Sequence, residues 1–255
     1  VNARVVKIGG AALSDAAWLA SFAEHVAQST APVVIVHGGG PDINEMATRL
    51  GLEFTWVNGR RVTSPELMDV VSMVLNGRVN KRIVSALINA GADALGLSGE
   101  DGSLVTTTLA EGGALGRVGK VDGVRVELLE RMLGQRWVPV LSSVSRGPDG
   151  AAVNVNADEI ASAIAAALGA AELLFLTDVE GVLEGGVLRP QLNTAEARAL
   201  IESQQATGGM AMKLEAAMKA LAEGVSSVRI GRFEMLVNGA AGTRVRQETE
   251  VLSWR

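Results

Sequence analysis

The chain has 255 residues, of which 48% are hydrophobic and 20% charged, with a formal charge of −5. That length suits one large α/β domain or two lobes sharing a sheet; it buries a core without staples and argues against long disorder. The acidic balance argues against nucleic acid as the main partner, the absence of Cys excludes disulfides and thiolate metal sites, and no apolar run reaches the roughly 18–20 residues of a membrane helix.

Aromatic residues make up only 3%, so Ala, Val, Leu and Ile must fill the interior. The two histidines, His25 and His37, show no metal-ligand spacing. The expectation is a cytoplasmic protein with no side-chain metal site, no membrane and no nucleic-acid partner. The chain enters Lys7-Ile8-Gly9-Gly10 almost at once, which leaves no room for a signal peptide.

The punctuation is strand, glycine loop, helix, repeated. Arg4–Ile8 reads as a short strand ending at Gly9-Gly10, and Asp15 to about Gln28 carries Leu19, Phe22 and Val26 at helical spacing. Pro32–Val36 is a β-branched run of the kind buried on both faces, followed by His37-Gly38-Gly39-Gly40, with Pro41 where a helix begins. That helix closes at Gly51, and Pro65 to Ala90 predicts a long helix ended by Gly91. Ala92–Leu97 and Trp137–Leu141 read as strands, and residues 99–125 read as hairpins. Ala157–Leu168 and Met210–Glu223 predict helices; Leu173–Thr177 and Ser227–Ile230 predict strands. This alternation predicts an α/β fold, a three-layer sandwich around a mainly parallel open sheet. The lobe boundary is expected near Ser145–Asn154, where Arg-Gly-Pro-Asp-Gly forms a turn, dividing the chain into lobes 1–150 and 151–255.

Two glycine loops after the first two strands let backbone N–H groups approach an anion, although each alone is also an ordinary tight turn. Lys7, at the end of an apolar strand, is costly unless it reaches solvent, a carboxylate or a bound anion. Asn154 and Asn156 alternate in an extended segment and so share a side, with Asp158 in the first turn of the next helix. Asn156 as N-cap and Asp158 as a dipole-favoured acid is the plainer account, and it leaves Asn154 unexplained. Thr207-Gly208-Gly209 opens a helix that carries Lys213 one turn inside, where a cation opposes the macrodipole unless an anion is to be neutralised. Arg60-Arg61 supplies forked cations suited to a carboxylate, or simply solvated surface charge. His37 is assigned no role. The chain lacks the P-loop, the dinucleotide fingerprint and the protein-kinase signatures, so a nucleotide would need another scaffold.

Taken together and in order, Lys7 to Gly10, Val36 to Pro41, Asn58 to Thr63, Asn154 to Asp158, Leu176 to Val182, and Gly208 to Lys213 resemble the amino-acid kinase family, most closely its acetylglutamate kinase branch. The resemblance implies ATP-dependent phosphorylation of the γ-carboxylate of N-acetylglutamate, with Mg²⁺ carried on the ATP phosphates. It implies an N-terminal lobe for the acyl amino acid and a C-terminal lobe for ATP. Lys7 and Lys213 would flank the transferred phosphoryl group, Asp158 would hold both lysines, and Gly10, Gly39 and Gly40 would present amides. Arg61 and Asn154 would hold the substrate's α-carboxylate, with Asn156 nearby. Asp178, Val179, Glu180, Gly181, Val182 and Leu183, with Thr207, Gly208 and Gly209, would line the nucleotide pocket. Arginine-inhibited members carry an extra N-terminal helix that builds a hexamer, so an arginine-insensitive homodimer is expected here. The first loop reads Gly9-Gly10-Ala11-Ala12-Leu13 where many members have Gly-Gly-Asn-Ala-Met, so the Asn contribution is missing. Two alternatives remain at this point. One is a kinase acting on an aminoadipyl or glutamyl group on an acidic carrier protein, docked by Arg60, Arg61, Arg78, Lys81 and Arg82. The other is a non-catalytic nucleotide or amino-acid sensor.

Overall fold

The computed structural model describes residues 2–10 and 12–248, so the expected effect of Ala11 lies outside the described residues. The sheet strands are β1 (Arg4–Ile8), β2 (Val33–His37), β3 (Ala94–Leu97), β4 (Val138–Ser142), β5 (Glu172–Leu176), β6 (Gln191–Asn193), β7 (Val228–Gly231) and β8 (Thr243–Arg246). They form one eight-stranded sheet in the order β6-β8-β7-β5-β1-β2-β4-β3. Neighbours are parallel except β7 and β8, so β6 and β8 run against the other strands. Every strand on one side of β1 comes from residues before 143 and every strand on the other from residues after 171. The chain therefore reverses its direction of winding at β1/β5, where the loops splay apart and open sheets place ligands.

The α-helices of eight residues or more are α1 (Ala16–Ala27), α2 (Gly40–Arg49), α3 (Pro65–Ser72), α4 (Asn80–Asn89), α5 (Val126–Gly134), α6 (Ala157–Ala167), α7 (Thr194–Glu202) and α8 (Gly208–Ala222). Strand alternation sorts them into two layers. Val6, Ile8, Val33 and Ile35 point into a core made with α1 to α4, while Val5, Val34 and Val36 point into a second core made with α5 to α8. Lys7 alternates with Val6 and so faces the second layer, where α6 packs on β1. That parity decides which helix the lysine meets. The three-layer α/β architecture with its mainly parallel sheet agrees with the sequence expectation.

A smaller sheet of Ala152–Asn154, Val144–Arg146, Val105–Leu109 and Gly119–Val124 lies beside α6. The expected turn after Arg146 closes an antiparallel hairpin within it, and the hairpin nature of residues 105–124 also agrees. The expected helix over Pro65–Ala90 runs without a break, but its middle, Met73–Val79, is π-helical. Four of these strands and helices had not been expected. They are α5, marked by buried Leu129, Met132 and Leu133; β6; α7, opened by an Asn193–Glu196 capping box; and β8.

Candidate active site

Three charged side chains from distant parts of the chain meet at the head of β1. Lys7 Nζ lies 2.7 Å from Asp158 Oδ1, and Lys213 Nζ lies 3.4 Å from Asp158 Oδ2 and 3.4 Å from the Gly209 carbonyl oxygen. Asp158 is buried because it stands in the first turn of α6, and Asn156 Oδ1 caps that helix by accepting from the Asp158 N–H at 2.8 Å. The plain N-cap account of Asn156 is therefore correct, and the residue also reaches the cleft described next. Burial pushes the Asp158 carboxyl up, but the two ammonium groups outweigh it and hold the carboxyl below its ordinary range.

Above this triad opens a cleft of about 450 Å³. Lys7, Asp158 and Lys213 form part of its wall, joined by Gly10, Gly39 and Gly40 from the two glycine loops. A Cβ on Gly10 would lie 2.8 Å from Pro41 Cδ, and one on Gly39 would lie 2.7 Å from Leu75 Cδ2. Only glycine lets these loops pack on each other and on the π-helical turn, which brings their amides to one rim. Asn154 and Asn156 border the cleft opposite; the Asn154 amide donates to Thr63 Oγ1 at 3.2 Å.

Arg60 and Arg61 both border the cleft but are held by different partners. Both lie on the hairpin of Trp56–Val57 and Arg60–Arg61, turned by Asn58-Gly59 with φ of 47° and 74°. Adjacent strand residues face opposite ways. Arg61 is buried in the cleft wall; Arg60 also borders the cleft, partly exposed, and lies 3.7 Å from Glu159 and 3.9 Å from Glu111. Arg61 donates weakly from Nη2 to the Gly40 carbonyl at 3.5 Å, and its Nη1 is buried with no partner among the described residues. Burial lowers its pKa to about 10, so it remains a cation at neutral pH.

The segments assigned to the nucleotide divide. Gly208 and Gly209 line the cleft, and Thr207 sits exposed at the N-cap of α8 without a side-chain cap bond. Asp178 to Leu183 follow β5 at the same end of the sheet but do not line this cleft. Asp178 and Glu180 are exposed and engage Arg232, Val179 is partly buried, and Leu183 is exposed. Gly181 is buried against Thr243; Val182 is fully buried and its N–H donates to Thr243 Oγ1 at 2.8 Å.

The five cations considered for docking a carrier protein do not assemble into a patch. Arg78 and Arg82 turn onto buried Asp42, Arg60 onto Glu159 and Glu111, and Lys81 onto Asn80 Oδ1, while Arg61 is inside the cleft. His37, given no role from sequence, is fully buried, and burial pushes its pKa down to about 4, so the ring is uncharged at neutral pH. Its Nδ1 contacts the Gly38 carbonyl at 2.9 Å and its Nε2 the Asn80 amide at 3.1 Å, so both nitrogens are occupied. Sequence reading missed Phe54, Trp56 and Ser143. Trp56 and Ser143 line the cleft, and Phe54 backs Arg61. The available signal was two aromatics at alternate positions just before an arginine pair, in a chain poor in aromatics.

An acetylglutamate kinase of Chloroflexus aurantiacus is 44% identical over 243 residues, covering 94% of this chain and 95% of that protein. An acetylglutamate kinase of Nostoc sp. is 42% identical over 233 residues, covering 89% of this chain and 78% of that protein. A solved structure from Streptococcus mutans superposes with a TM-score of 0.85 at 30% identity, covering 97% of this chain and 99% of that one. The sequence profile described as "Amino acid kinase family" matches residues 2–232. With that match, and with relatives of this identity along nearly its whole length, the chain belongs to the amino acid kinase family.

Proposed function

We propose that the chain is an ATP-dependent acetylglutamate kinase, transferring the terminal phosphoryl group of ATP to the γ-carboxylate of N-acetyl-L-glutamate and giving N-acetylglutamyl 5-phosphate in arginine biosynthesis. The relatives named acetylglutamate kinase support the choice of substrate. The observation that carries the reading is the meeting of Lys7 and Lys213 on one buried carboxylate, in the same cleft as an arginine with an unpaired Nη1. One arrangement of cations thus serves two anions, a phosphate and a carboxylate.

The chemistry asks for no general base. A glutamate side chain titrates near about 4.3 and is already a nucleophile at neutral pH. The obstacle is bringing it up to polyanionic ATP, so catalysis is alignment and charge neutralisation. In this reading Lys7 and Lys213 neutralise the transferred group and Asp158 spaces them. The amides of Gly10, Gly39 and Gly40 bind phosphoryl and substrate oxygens. Arg61 and Asn154 hold the α-carboxylate, with Asn156 beside them. Asp178 to Leu183 and Thr207 to Gly209 take the nucleotide. Residues 1–150 serve as the substrate lobe and 151–255 as the ATP lobe, on either side of β1/β5.

The carboxylate at the base of this cleft, Asp158, is engaged by two lysines, and no cluster of three or more metal-binding side chains occurs among the described residues. In this reading Mg²⁺ enters on the ATP phosphates, where it would supply charge neutralisation, and no side chain is assigned to it. Dispersal of the five cations removes the support for a carrier-protein substrate. We also assign a cytoplasmic location, in keeping with the lack of Cys and of any described helix long and apolar enough to cross a membrane. A homodimer is part of the same proposal, supported by the open edge of β3 and its exposed apolar neighbours.

The test is ADP release from MgATP, with hydroxylamine trapping the acyl phosphate. N-acetylglutamate is compared with glutamate, aspartate, carbamate and N-acetylaminoadipate. Turnover confined to N-acetylglutamate is expected; silence with every free acid would sink the reading.

A further inference from the structure

Among the described residues, Arg61 is a buried cation without a counter-ion. Two aromatic rings stand where a carboxylate would be expected. Its guanidinium carbon lies 4.3 Å from the Phe54 ring centroid and 4.5 Å from that of Trp56. The rings meet edge to face, 6.4 Å apart at 78°, so the guanidinium rests in the corner between them. Local sequence builds this corner. Trp56 and Arg61 are directly opposite each other across the hairpin, and Phe54 lies two residues before Trp56 on the same side of the extended chain. The whole chain has four Phe and four Trp, and one of each is spent on this single arginine.

A ring and a carboxylate stabilise a guanidinium differently. A carboxylate satisfies the charge by occupying the N–H fork, whereas a ring face attracts the cation and leaves the fork free. Arg61 shows the second outcome: Nη1 is buried and unpaired, and Nη2 has only a 3.5 Å contact to the Gly40 carbonyl. An unpaired donor inside a protein is costly unless something fills it, and this one sits in the cleft wall.

We propose that Phe54 and Trp56 are positioning residues for substrate, holding the Arg61 guanidinium in place of an internal counter-ion so that the N–H groups of its free edge donate to the substrate's carboxylate. This rests on the reading of Arg61 as the carboxylate anchor. The pair acts through Arg61 on binding of the acyl amino acid, and leaves ATP binding and the transfer step alone.

The test is steady-state kinetics with N-acetylglutamate and MgATP on Arg61→Ala, Trp56→Ala, Trp56→Leu, Trp56→Phe and Phe54→Leu. Trp56 is 53% exposed, so its variants are expected to fold, and circular dichroism checks this. Arg61→Ala should raise the KM for N-acetylglutamate strongly. Trp56→Ala and Trp56→Leu should raise it about fivefold to tenfold, with kcat and the KM for ATP within about twofold, and Trp56→Phe should restore it. Phe54→Leu should follow Trp56→Leu, because it keeps apolar bulk but loses the ring face. If Arg61→Ala raises KM while Trp56→Leu stays at the wild-type value, apolar cover suffices and the aromatic inference is overturned alone. An unchanged KM in Arg61→Ala would overturn the anchor reading and this inference with it.

Discussion

Burying Lys7 costs the fold free energy, and Asp158 offsets it with a 2.7 Å ion pair that Lys213 completes from the other side. Neither lysine would sit where it does for stability alone, since an apolar pair of similar volume fills such a site at least as well. Lys7→Ala and Lys213→Ala are therefore expected to stay folded by circular dichroism and to lose about 10²-fold or more in kcat, the scale of one missing preorganised charge stabiliser. A near-normal kcat in either variant would remove it from the transfer step. Residue by residue, the sequence offered Lys7, Asp158 and Lys213 as separate candidates, each with an ordinary alternative, and only the family resemblance implied that Asp158 holds both lysines. The place of Asp158 in the first turn of α6 was legible from spacing; the pairing of β1 within the sheet, which turns Lys7 towards that helix, was not. His37 supplies a prediction of another kind. Burial lowers its pKa from 6.5 to about 4, so on acidification the unfolded chain takes up a proton first. The stability gained by keeping the ring neutral is complete above pH 6.5 and is lost as pH falls towards about 4, up to about 3 kcal/mol over that window. Urea unfolding between pH 7 and pH 4.5 should show this slope flattened in His37→Asn; an equal slope in both proteins would assign it to other groups.

The two glycine loops are held as a pair from behind. Arg82 on α4 donates from Nη1 to the Leu13 carbonyl and from Nη2 to Asp42 Oδ1, each at 3.0 Å, tying the segment after Gly10 to the first turn of α2. Arg78 adds a looser contact to the same carboxylate at 3.6 Å. Removing Arg82 leaves buried Asp42 with that weaker partner, so Arg82→Ala should cost about 1–2 kcal/mol by urea unfolding, less than a fully buried pair because the arginine is partly exposed. Arg82→Lys keeps the charge but cannot reach both acceptors, so it should recover most of the stability and still show a several-fold lower kcat. Full activity in Arg82→Lys would mean the loops keep their spacing without the bridge. Sequence reading placed Arg82 on a surface patch because helical periodicity marks which face is apolar. It does not mark which long side chain bends inward. A different limit explains the missed elements: β6, with α7 directly behind it, and β8 are short and follow stretches rich in turn residues, whereas long periodic helices such as α6 and α8 were legible with their glycine stops.

At the scale of the molecule, the alternation of apolar strands and helices made the parallel three-layer fold legible, because both demands are written in local periodicity. Strand order was not, since nothing in residues 172–176 says that they pair with residues 4–8; that pairing creates the switch point on which the cleft depends. The sheet also has an outer edge to account for. β3 pairs with β4 on one side and, among the described residues, leaves its other backbone edge open, and Ile88, Leu95 and Trp137 stand 54%, 37% and 44% exposed around it. An open edge flanked by large apolar side chains invites association with another chain. A second copy presenting the same edge answers both needs, because a two-fold contact is self-complementary. Leu95→Arg puts a charge into that contact without touching the cleft. Light scattering after size exclusion should therefore give a dimer mass for the wild type and the monomer mass for Leu95→Arg, with the KM for both substrates preserved in the monomer. A wild-type monomer at tens of micromolar would sink the dimer, and a Leu95→Arg dimer would place its interface on another face.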